Sequence, residues 1–287
     1  IVLLILVLVI GSEYNGAKRW INLGFGTLQP SEIAKFAVIA LFAHIVSLNH
    51  EKMKTFRYGV LPFLLVLGTI AGLMLLEPHL SGTIIILGIG AIMMFVGGTR
   101  LAWFGLGIGV GGAGIAGAVL LVPDLVPYAM TRIQMWQDPF NDPNGYQTVQ
   151  SLYAIASGGL TGLGIGNSRQ KHLYVPEPYN DFIFSITCEE LGFIGALLVI
   201  FLFVALLLRG IYVAVNARDK FGSMLVVGVI VQITLQAALN MAVVTNTIPN
   251  TGVSLPFFSS GGTSLVMLLC EMGVVLSVSR QSAVKRL

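Results

Sequence analysis

The sequence has few charged residues, and this scarcity excludes an ordinary soluble domain. Only 10% of its 287 residues are Asp, Glu, Lys or Arg, whereas 55% are hydrophobic. Soluble domains carry about 25% charged residues, so the composition indicates a membrane protein. The formal net charge of +3 is small and does not suggest a nucleic-acid partner.

Cysteine and histidine are also scarce. Cys188 and Cys270 both fall within apolar segments, which argues against a disulfide framework, and their spacing fits no metal site. The four histidines are scattered along the sequence. A basic start and a small-residue cleavage site are both missing, so no signal peptide is predicted. The apolar run Ile1–Ile10 is too short to cross a bilayer, and we expect it to be the end of a membrane helix in a longer, N-terminally truncated chain.

Long apolar runs are abundant, and they predict an all-α, polytopic membrane protein. We expect one transmembrane domain over residues 1–287, with seven whole membrane segments and the partial one at the start. A polar hairpin is predicted at Gly11–Ser31, and Pro30 with a Ser31 cap begins the next helix. The whole segments are predicted at Glu32–Leu48, Tyr58–Leu76, Gly82–Gly98, Leu101–Val122, Phe182–Leu208, Gly222–Thr245 and Gly261–Ser279.

Loop charges predict the orientation of these segments. With the first segment leading outward, the inner loops hold ten Lys and Arg residues and the outer loops hold five. The positive-inside rule favours this arrangement. A long loop over residues 123–181 then lies outside, and within it Gln147–Ser157 is predicted as a short interfacial or membrane-embedded helix. Loops of this length are often functional.

Several ionisable residues lie at or within apolar segments. Glu32 and Lys35 share one helix face, and the sequence leaves open a structural ion pair or the lining of a polar cavity. Glu77 lies between two membrane segments, as an interfacial acid or part of a polar site. Acids at 189 and 190, inside a membrane segment, favour a wet or polar interior.

Asp181 immediately precedes a strongly apolar helix. One interpretation is an N-cap, because Asp is among the best capping residues. The other is a working carboxylate, because the helix dipole favours the ionised form, which can accept a proton from a hydroxyl or hold a divalent cation such as Mg²⁺ or Mn²⁺. The local pattern leaves both interpretations open.

The sequence resembles the SEDS family (shape, elongation, division and sporulation), in particular its FtsW/RodA/SpoVE-like members. The resemblance extends over the whole chain in the order of the family's motifs. The matching stretches are Lys18–Ile21, Gln29–Lys35, Glu77–Thr83, Gly145–Ser151, Gly162–Ser168, Pro176–Phe184, Glu189–Phe193, Pro249–Gly252 and Leu255–Gly262.

The resemblance implies a fold of ten membrane helices and a peptidoglycan glycosyltransferase that polymerises lipid II. It implies that the protein acts together with a class B penicillin-binding protein and with divisome or elongasome proteins. The active site would then face the outside of the bacterial cytoplasmic membrane. Asp181 corresponds to the family's essential Asp, and Glu32 and Lys35 to its Gln-Pro-Ser-Glu motif. Candidate groups for binding the substrate pyrophosphate are Arg19, Arg132 and Lys171.

The chain departs from the usual family pattern at His79, where members carry Asp, and at Ser260, where they carry Tyr. A His-Thr pair usually precedes the key Asp, whereas this chain has Tyr179 and Asn180. Two rival functions stay open: a lipid II flippase or transporter, and a non-catalytic scaffold for the partner synthase. A role in division, elongation or sporulation is not distinguished.

Overall fold

Helices dominate the computed structural model of the protein, which confirms the predicted helical, polytopic fold. Among the residues that the structure describes, five helices are long and apolar enough to cross a membrane: 30–52, 56–76, 183–215, 220–244 and 262–281. The structure describes residues 1–14, 17–22, 24, 26–77, 79–107, 109, 133–142, 145–172 and 178–282.

The elements of the first hundred residues are helices joined by a small sheet. In chain order they are α1 (Val2–Ile10), β1 (Ser12–Tyr14), β2 (Ala17–Asn22), β3 (Thr27–Leu28), α2 (Pro30–Asn49), a 3₁₀ turn (His50–Lys52), α3 (Phe56–Gly59), α4 (Leu61–Leu76) and α5 (Leu80–Val96).

In the described ranges after residue 100, the elements are helical. Residues 101–107 and 133–137 form helical segments. The longer helices are α6 (Tyr146–Gly158), α7 (Ile183–Val215), α8 (Lys220–Val244) and α9 (Gly262–Gln281). The predicted short helix at Gln147–Ser157 is therefore confirmed as α6. Most of the predicted segment Leu101–Val122 lies outside the described residues, so the total of eight segments stays a prediction.

The structure corrects the interpretation of the first connection. The predicted polar hairpin is a three-stranded sheet in the order β1-β2-β3, with both strand pairs antiparallel. Ser31 is not the cap of the next helix, because α2 begins at Pro30 and Gln29 precedes it without a side-chain capping bond. Proline is favoured at this first position because the missing N–H would have no partner within the helix.

The described residues divide into two compact units. The first comprises 1–100, 203–236 and 260–287, and the second comprises 101–202 and 237–259. The first has a closely packed helical core, in which the rings of Phe42 and Phe63 meet edge to face at 4.6 Å. Gly90 lies against Phe42 in the same core, where a β-carbon would come within 3.1 Å of its ring.

In the second unit, a loop packs against an irregular point in α7. Gly192 has φ 67° and ψ −167°, a conformation outside the helical range. An added β-carbon there would come within 2.3 Å of the Gly162 nitrogen. Backbone hydrogen bonds join the two segments, from Phe193 N to Gly159 O and from Leu163 N to Glu189 O, both at 2.9 Å. The glycine is needed because only a residue without a side chain allows this contact.

Candidate active site

Asp181 lies in a turn just before α7, with its side chain half-buried. The helix begins at Ile183, so Phe182 and not Asp181 is the residue immediately before it. The backbone carbonyl of Phe182 accepts hydrogen bonds from the Ser185 N–H and hydroxyl, at 3.1 Å and 2.7 Å. The structure therefore does not place Asp181 at the N-cap position.

The backbone of Asp181 is held by Asn240 of α8. The Asn240 Nδ2 group donates one hydrogen bond to the Asp181 carbonyl at 2.7 Å and another to the Val253 carbonyl at 2.6 Å. Asn240 is fully buried. A single amide therefore fixes the Asp181 turn and the 249–259 segment to the same point of α8.

A second side chain holds the preceding peptide. The Ser259 hydroxyl donates to the Asn180 carbonyl at 2.7 Å and accepts from the Leu255 N–H at 2.6 Å. Consecutive backbone carbonyls, at 180 and 181, are therefore bound by side chains from distant parts of the sequence. These bonds restrict the backbone that carries the Asp181 carboxylate.

Gly252 lies directly beside the carboxylate of Asp181. Its φ of 63° is in the left-handed region, and an added β-carbon would lie 3.1 Å from Asp181 Oδ2. The close approach and the backbone conformation both favour glycine. Gly252, the last residue of the Pro249–Gly252 motif, therefore forms part of one wall of the site around Asp181.

The long loop that was predicted to be functional packs against the same segment. Asn250 Nδ2 lies 3.4 Å from Gln147 Oε1 of α6. The Trp136 indole N–H donates to the Asn246 carbonyl at 3.0 Å, and Asn246 Nδ2 donates to the Trp136 carbonyl at 3.1 Å. These bonds hold the 133–142 segment and α6 against residues 246–250, which lead to Gly252.

The two neighbouring acids of α7 have local partners. Glu189 accepts hydrogen bonds from the Ser168 hydroxyl, from Arg169 N at 3.1 Å and from Gln170 N at 3.3 Å. Glu190 pairs with Lys171 at 2.9 Å. The pair therefore secures the 168–171 loop, and the wet interior that these acids suggested is not needed to explain them.

In the first unit, Glu32 and Lys35 form an ion pair, which was one of the two arrangements that the sequence left open. Lys35 Nζ lies 2.8 Å from Glu32 Oε1, and it also donates to Gln236 Oε1 at 3.1 Å. Glu32 and Lys35 are 6% and 3% exposed, so both charges are removed from solvent. Gln232, one turn before Gln236 on α8, donates to Glu271 Oε2 at 2.9 Å. The result is a buried polar network joining α2, α8 and α9.

Glu77 and His79 lie in the connection between α4 and α5, in the same unit. Glu77 is 1% exposed, and neither of its carboxylate oxygens has a hydrogen-bond partner among the described residues. Burial raises the pKa of Glu77 from 4.5 to about 7, although the positive charge of Arg19 opposes the change. Burial, with the charges of Arg19 and Lys35, lowers the pKa of His79 to about 3. At neutral pH, His79 is therefore neutral and Glu77 is partly protonated.

The structure thus distributes the predicted site residues between the units. Asp181 and Lys171 belong to the second unit, where Lys171 is bound to Glu190. The first unit holds Arg19, Glu32, Lys35 and Glu77. Arg132 lies outside the described residues, and its assignment stays a prediction, as do the roles of the others.

Sequence reasoning missed two site residues, Asn240 and Ser259, which hold the backbone of the Asp181 turn. Asn240 had a usable signal, because polar side chains within membrane helices are often functional. Gln232, Gln236 and Asn240 recur every four residues along α8, which places them on one helix face. Ser259 lies in the matching stretch Leu255–Gly262, but nothing in the local pattern distinguished its role from that of its neighbours.

The described residues do not assemble a metal site of their own. No group of three or more His, Cys, Asp or Glu side chains is suitably placed within the described ranges. Mg²⁺ is often held by one or two carboxylates together with substrate phosphates. Within the described ranges, the donor set therefore does not fit a cation held by protein side chains alone.

Comparisons with known proteins give a consistent family assignment. The model of the FtsW, RodA and SpoVE family, described as cell cycle proteins, matches residues 1–284. Stage V sporulation protein E of Bacillus subtilis (strain 168) is 44% identical over 284 residues, which are 98% of this chain and 76% of the relative. A probable peptidoglycan glycosyltransferase FtsW of Geobacter sp. (strain M18) is 39% identical over 281 residues, 97% of this chain and 76% of the relative.

Solved structures agree with this assignment. A chain from a structure reported as the structural coordination of polymerization and crosslinking by a peptidoglycan synthase complex matches with a TM-score of 0.81 and 31% identity. The match covers 97% of this chain and 78% of that one. The rod shape determining protein RodA of Thermus thermophilus matches with a TM-score of 0.68 and 27% identity, over 99% of this chain and 76% of that one.

Proposed function

Because the chain belongs to the FtsW/RodA/SpoVE family of cell cycle proteins, we propose that it is a peptidoglycan glycosyltransferase that polymerises lipid II. The observation that supports this role best is the Asp181 turn. Two side chains hold its backbone, and glycine packs beside its carboxylate. A general base must be held at a defined position to accept a proton as the bond forms.

In the proposed reaction, a sugar hydroxyl attacks the sugar carbon that bears the undecaprenyl pyrophosphate. The Asp181 carboxylate accepts the hydroxyl proton as the new glycosidic C–O bond forms. The bond from that carbon to the pyrophosphate oxygen breaks, and the pyrophosphate leaves with the electron pair. Positive charge stabilises the leaving pyrophosphate, and Arg19, Arg132 and Lys171 are the candidates that the sequence proposes.

Lys171 can take this role only by giving up part of its present contacts. Its ammonium binds Glu190 at 2.9 Å and the Gly166 carbonyl at 2.6 Å. A pyrophosphate would have to compete with a carboxylate for the same charge. The Arg19 charge acts on Glu77 and His79, and these residues form a second polar region of the proposed enzyme.

The Glu32, Lys35 and Glu77 side chains are proposed as supporting residues. The buried Glu32–Lys35 pair must stay intact, because an unpaired charge in this environment is costly. Glu77 can hold or release a proton near neutral pH. We propose that Glu32 and Lys35 hold neighbouring helices in position and that Glu77 takes up or releases a proton. None of the three is proposed to react with the substrate.

The chain is a multi-pass membrane protein, and we place the proposed active site on the outer face of the bacterial cytoplasmic membrane. The excess of Lys and Arg in the opposite loops supports this orientation. The likeness to a chain of a peptidoglycan synthase complex supports a penicillin-binding protein partner, and we propose one of class B. Participation in the divisome or elongasome stays a proposal.

A requirement for Mg²⁺ or Mn²⁺ also stays a proposal. Since the described residues do not gather a preformed cluster of ligands, such a cation would enter with the pyrophosphate of the substrate. Polymerisation measured with and without a chelator tests this expectation.

Lipid II polymerisation by the full-length protein, purified with its partner synthase, tests the proposed function. Asp181→Asn keeps the shape of the side chain and removes its basicity, so we expect loss of polymer by about 10²-fold or more. Asp219→Asn, in an exposed loop, is the matched control and should polymerise normally. Normal polymer from Asp181→Asn would exclude the general base.

The rival functions give different results in the same preparation. A transporter would move lipid II across vesicle membranes while making no polymer. A scaffold would do neither, yet would bind the partner synthase. Polymer formation by the wild type, absent from Asp181→Asn, separates the enzyme from both.

A further inference from the structure

A basic pocket lies where α7 and α9 end, and the proposed reaction does not use it. The cavity has a volume of about 220 Å³. All of its lining residues belong to the first unit. They come from the last turns of α7 and α9 and the residues that follow: Arg209, Tyr212, Val213, Asn216, Ser279, Arg280 and Ser282.

The two arginines give the pocket its charge. Within the described part of the chain, neither Arg209 nor Arg280 forms an ion pair with a carboxylate. The Arg209 guanidinium lies 5.0 Å from the centre of the Tyr212 ring, a cation–π contact that favours one orientation of the side chain. Two cations that face a common cavity without an acid between them favour an anionic ligand.

Neutral donors surround the arginines. Tyr212, Ser279 and Ser282 line the pocket with hydroxyl groups, and Asn216 lies at the end of α7, where its amide donates to the Tyr212 carbonyl at 2.8 Å. Guanidinium groups bind phosphate oxygens through paired N–H donors, and hydroxyls add further hydrogen bonds. The chemistry of the lining therefore suits a phosphate group.

The pocket adjoins surfaces that suit lipid chains. Leu208 immediately precedes Arg209 and is 61% exposed, and Leu276, one turn before Arg280, is 66% exposed. In a membrane helix such exposed leucines contact acyl chains. In the proposed orientation this end of both helices is cytoplasmic, where anionic lipids are concentrated and basic pockets between helices bind their headgroups.

We propose that this pocket binds the phosphate headgroup of an anionic phospholipid in the cytoplasmic leaflet. Arg209 and Arg280 bind the phosphate oxygens from two sides, and the serine hydroxyls and Tyr212 complete the site. The acyl chains then lie along the exposed apolar faces of α7 and α9. Such a lipid joins the ends of two helices that are distant in the sequence.

Native mass spectrometry of the purified full-length protein, with phosphatidylglycerol and phosphatidylcholine as probes, tests the site. The wild type should retain phosphatidylglycerol in preference to phosphatidylcholine. Combining Arg209→Gln with Arg280→Gln should weaken that retention by about tenfold or more, as expected from the loss of two cations beside an anionic headgroup. Circular dichroism and the melting temperature verify that each variant is folded.

The matched control combines Arg218→Gln with Lys220→Gln. It removes the same charge from Arg218, which precedes α8, and from Lys220, which begins it; both lie outside the pocket lining, and the variant should keep the wild-type preference. Equal loss in the control would show a diffuse charge effect and overturn the site. Unchanged retention by the Arg209 and Arg280 variant would do the same. Displacement of phosphatidylglycerol by inorganic phosphate would assign the pocket to a free anion instead of a lipid.

Discussion

The pH dependence of stability tests the assignment of Glu77 as a buried acid. Its pKa rises from 4.5 to about 7, and burial is the main cause. At about 1.4 kcal/mol per pKa unit, keeping this carboxylate ionised in the folded protein costs about 3 kcal/mol. The folded protein binds the proton more tightly than the unfolded chain, so this contribution lowers stability as pH rises from about 4.5 through about 7.

Glu77→Gln removes the titrating group and leaves the shape almost unchanged. Relative to the wild type, the unfolding free energy of the variant should increase by about 2–3 kcal/mol as the pH rises from about 5 to about 8. Most of this increase should occur below pH about 7. His79 changes the stability in the opposite direction. Its pKa falls from 6.5 to about 3 in the folded protein, so the unfolded chain binds the proton more tightly and stability decreases as pH falls. That contribution is present in both proteins and cancels in the comparison.

Equilibrium unfolding of the detergent-solubilised protein over this pH range measures the difference. Glu51→Gln is the control, because it makes the same chemical change at an exposed position. Arg19→Gln should move the Glu77 transition to higher pH, since the Arg19 charge lowers the pKa of Glu77. Parallel stability curves for the wild type and Glu77→Gln would refute the reasoning.

Two further predictions concern buried partners. Asn240→Ala leaves the carbonyls of Asp181 and Val253 without their shared donor, which should cost about 2–4 kcal/mol of unfolding free energy and reduce the turnover number of polymerisation more than lipid II binding. Lys35→Met leaves the Glu32 carboxylate buried without its cation, which should cost about 3–5 kcal/mol and lower polymerisation. Adding Glu32→Gln to Lys35→Met should recover most of the stability.

These two outcomes have their own controls. Thr245→Ala, close to Asn240 but exposed, should leave stability and turnover near wild-type values. If Asn240→Ala lowers lipid II binding as much as turnover, the proposed positioning of Asp181 is wrong. If the Glu32→Gln and Lys35→Met double variant is as unstable as Lys35→Met alone, the cost does not come from the unpaired charge.

The helical fold was predictable because the bilayer requires long apolar segments with internal hydrogen bonds. The predicted segment Gly222–Thr245 differs from α8 by one or two residues at each end. The Phe182–Leu208 prediction was too short, because α7 continues to Val215 through a stretch with Arg209 and Tyr212. Polar residues near a membrane boundary do not mark where a helix ends.

The sheet at the first connection was not predicted. Its strands are three, six and two residues long, too short for an alternating pattern to distinguish them from a polar hairpin. The prediction of a Ser31 cap was wrong for a related reason. Ser and Pro both mark a helix start, and only the backbone shows that Pro30 occupies the first position.

The family and the candidate base came from the sequence alone, through motifs in a fixed order. A site of this kind needs certain residue types at fixed positions, and such residues can be recognised as motifs in the sequence. The comparisons confirmed the family. The catalytic assignment of Asp181 stays a prediction until polymerisation is measured.

Only the tertiary structure decided which partners these residues have. Asn240 reaches Asp181 across 59 residues, and Lys35 reaches Gln236 across 201. Sequence spacing predicts contacts within one helix turn, as it did for Glu32 and Lys35, but not contacts between helices. A hydrogen bond depends on positions within a few tenths of an ångström, and those positions exist only once the helices have packed.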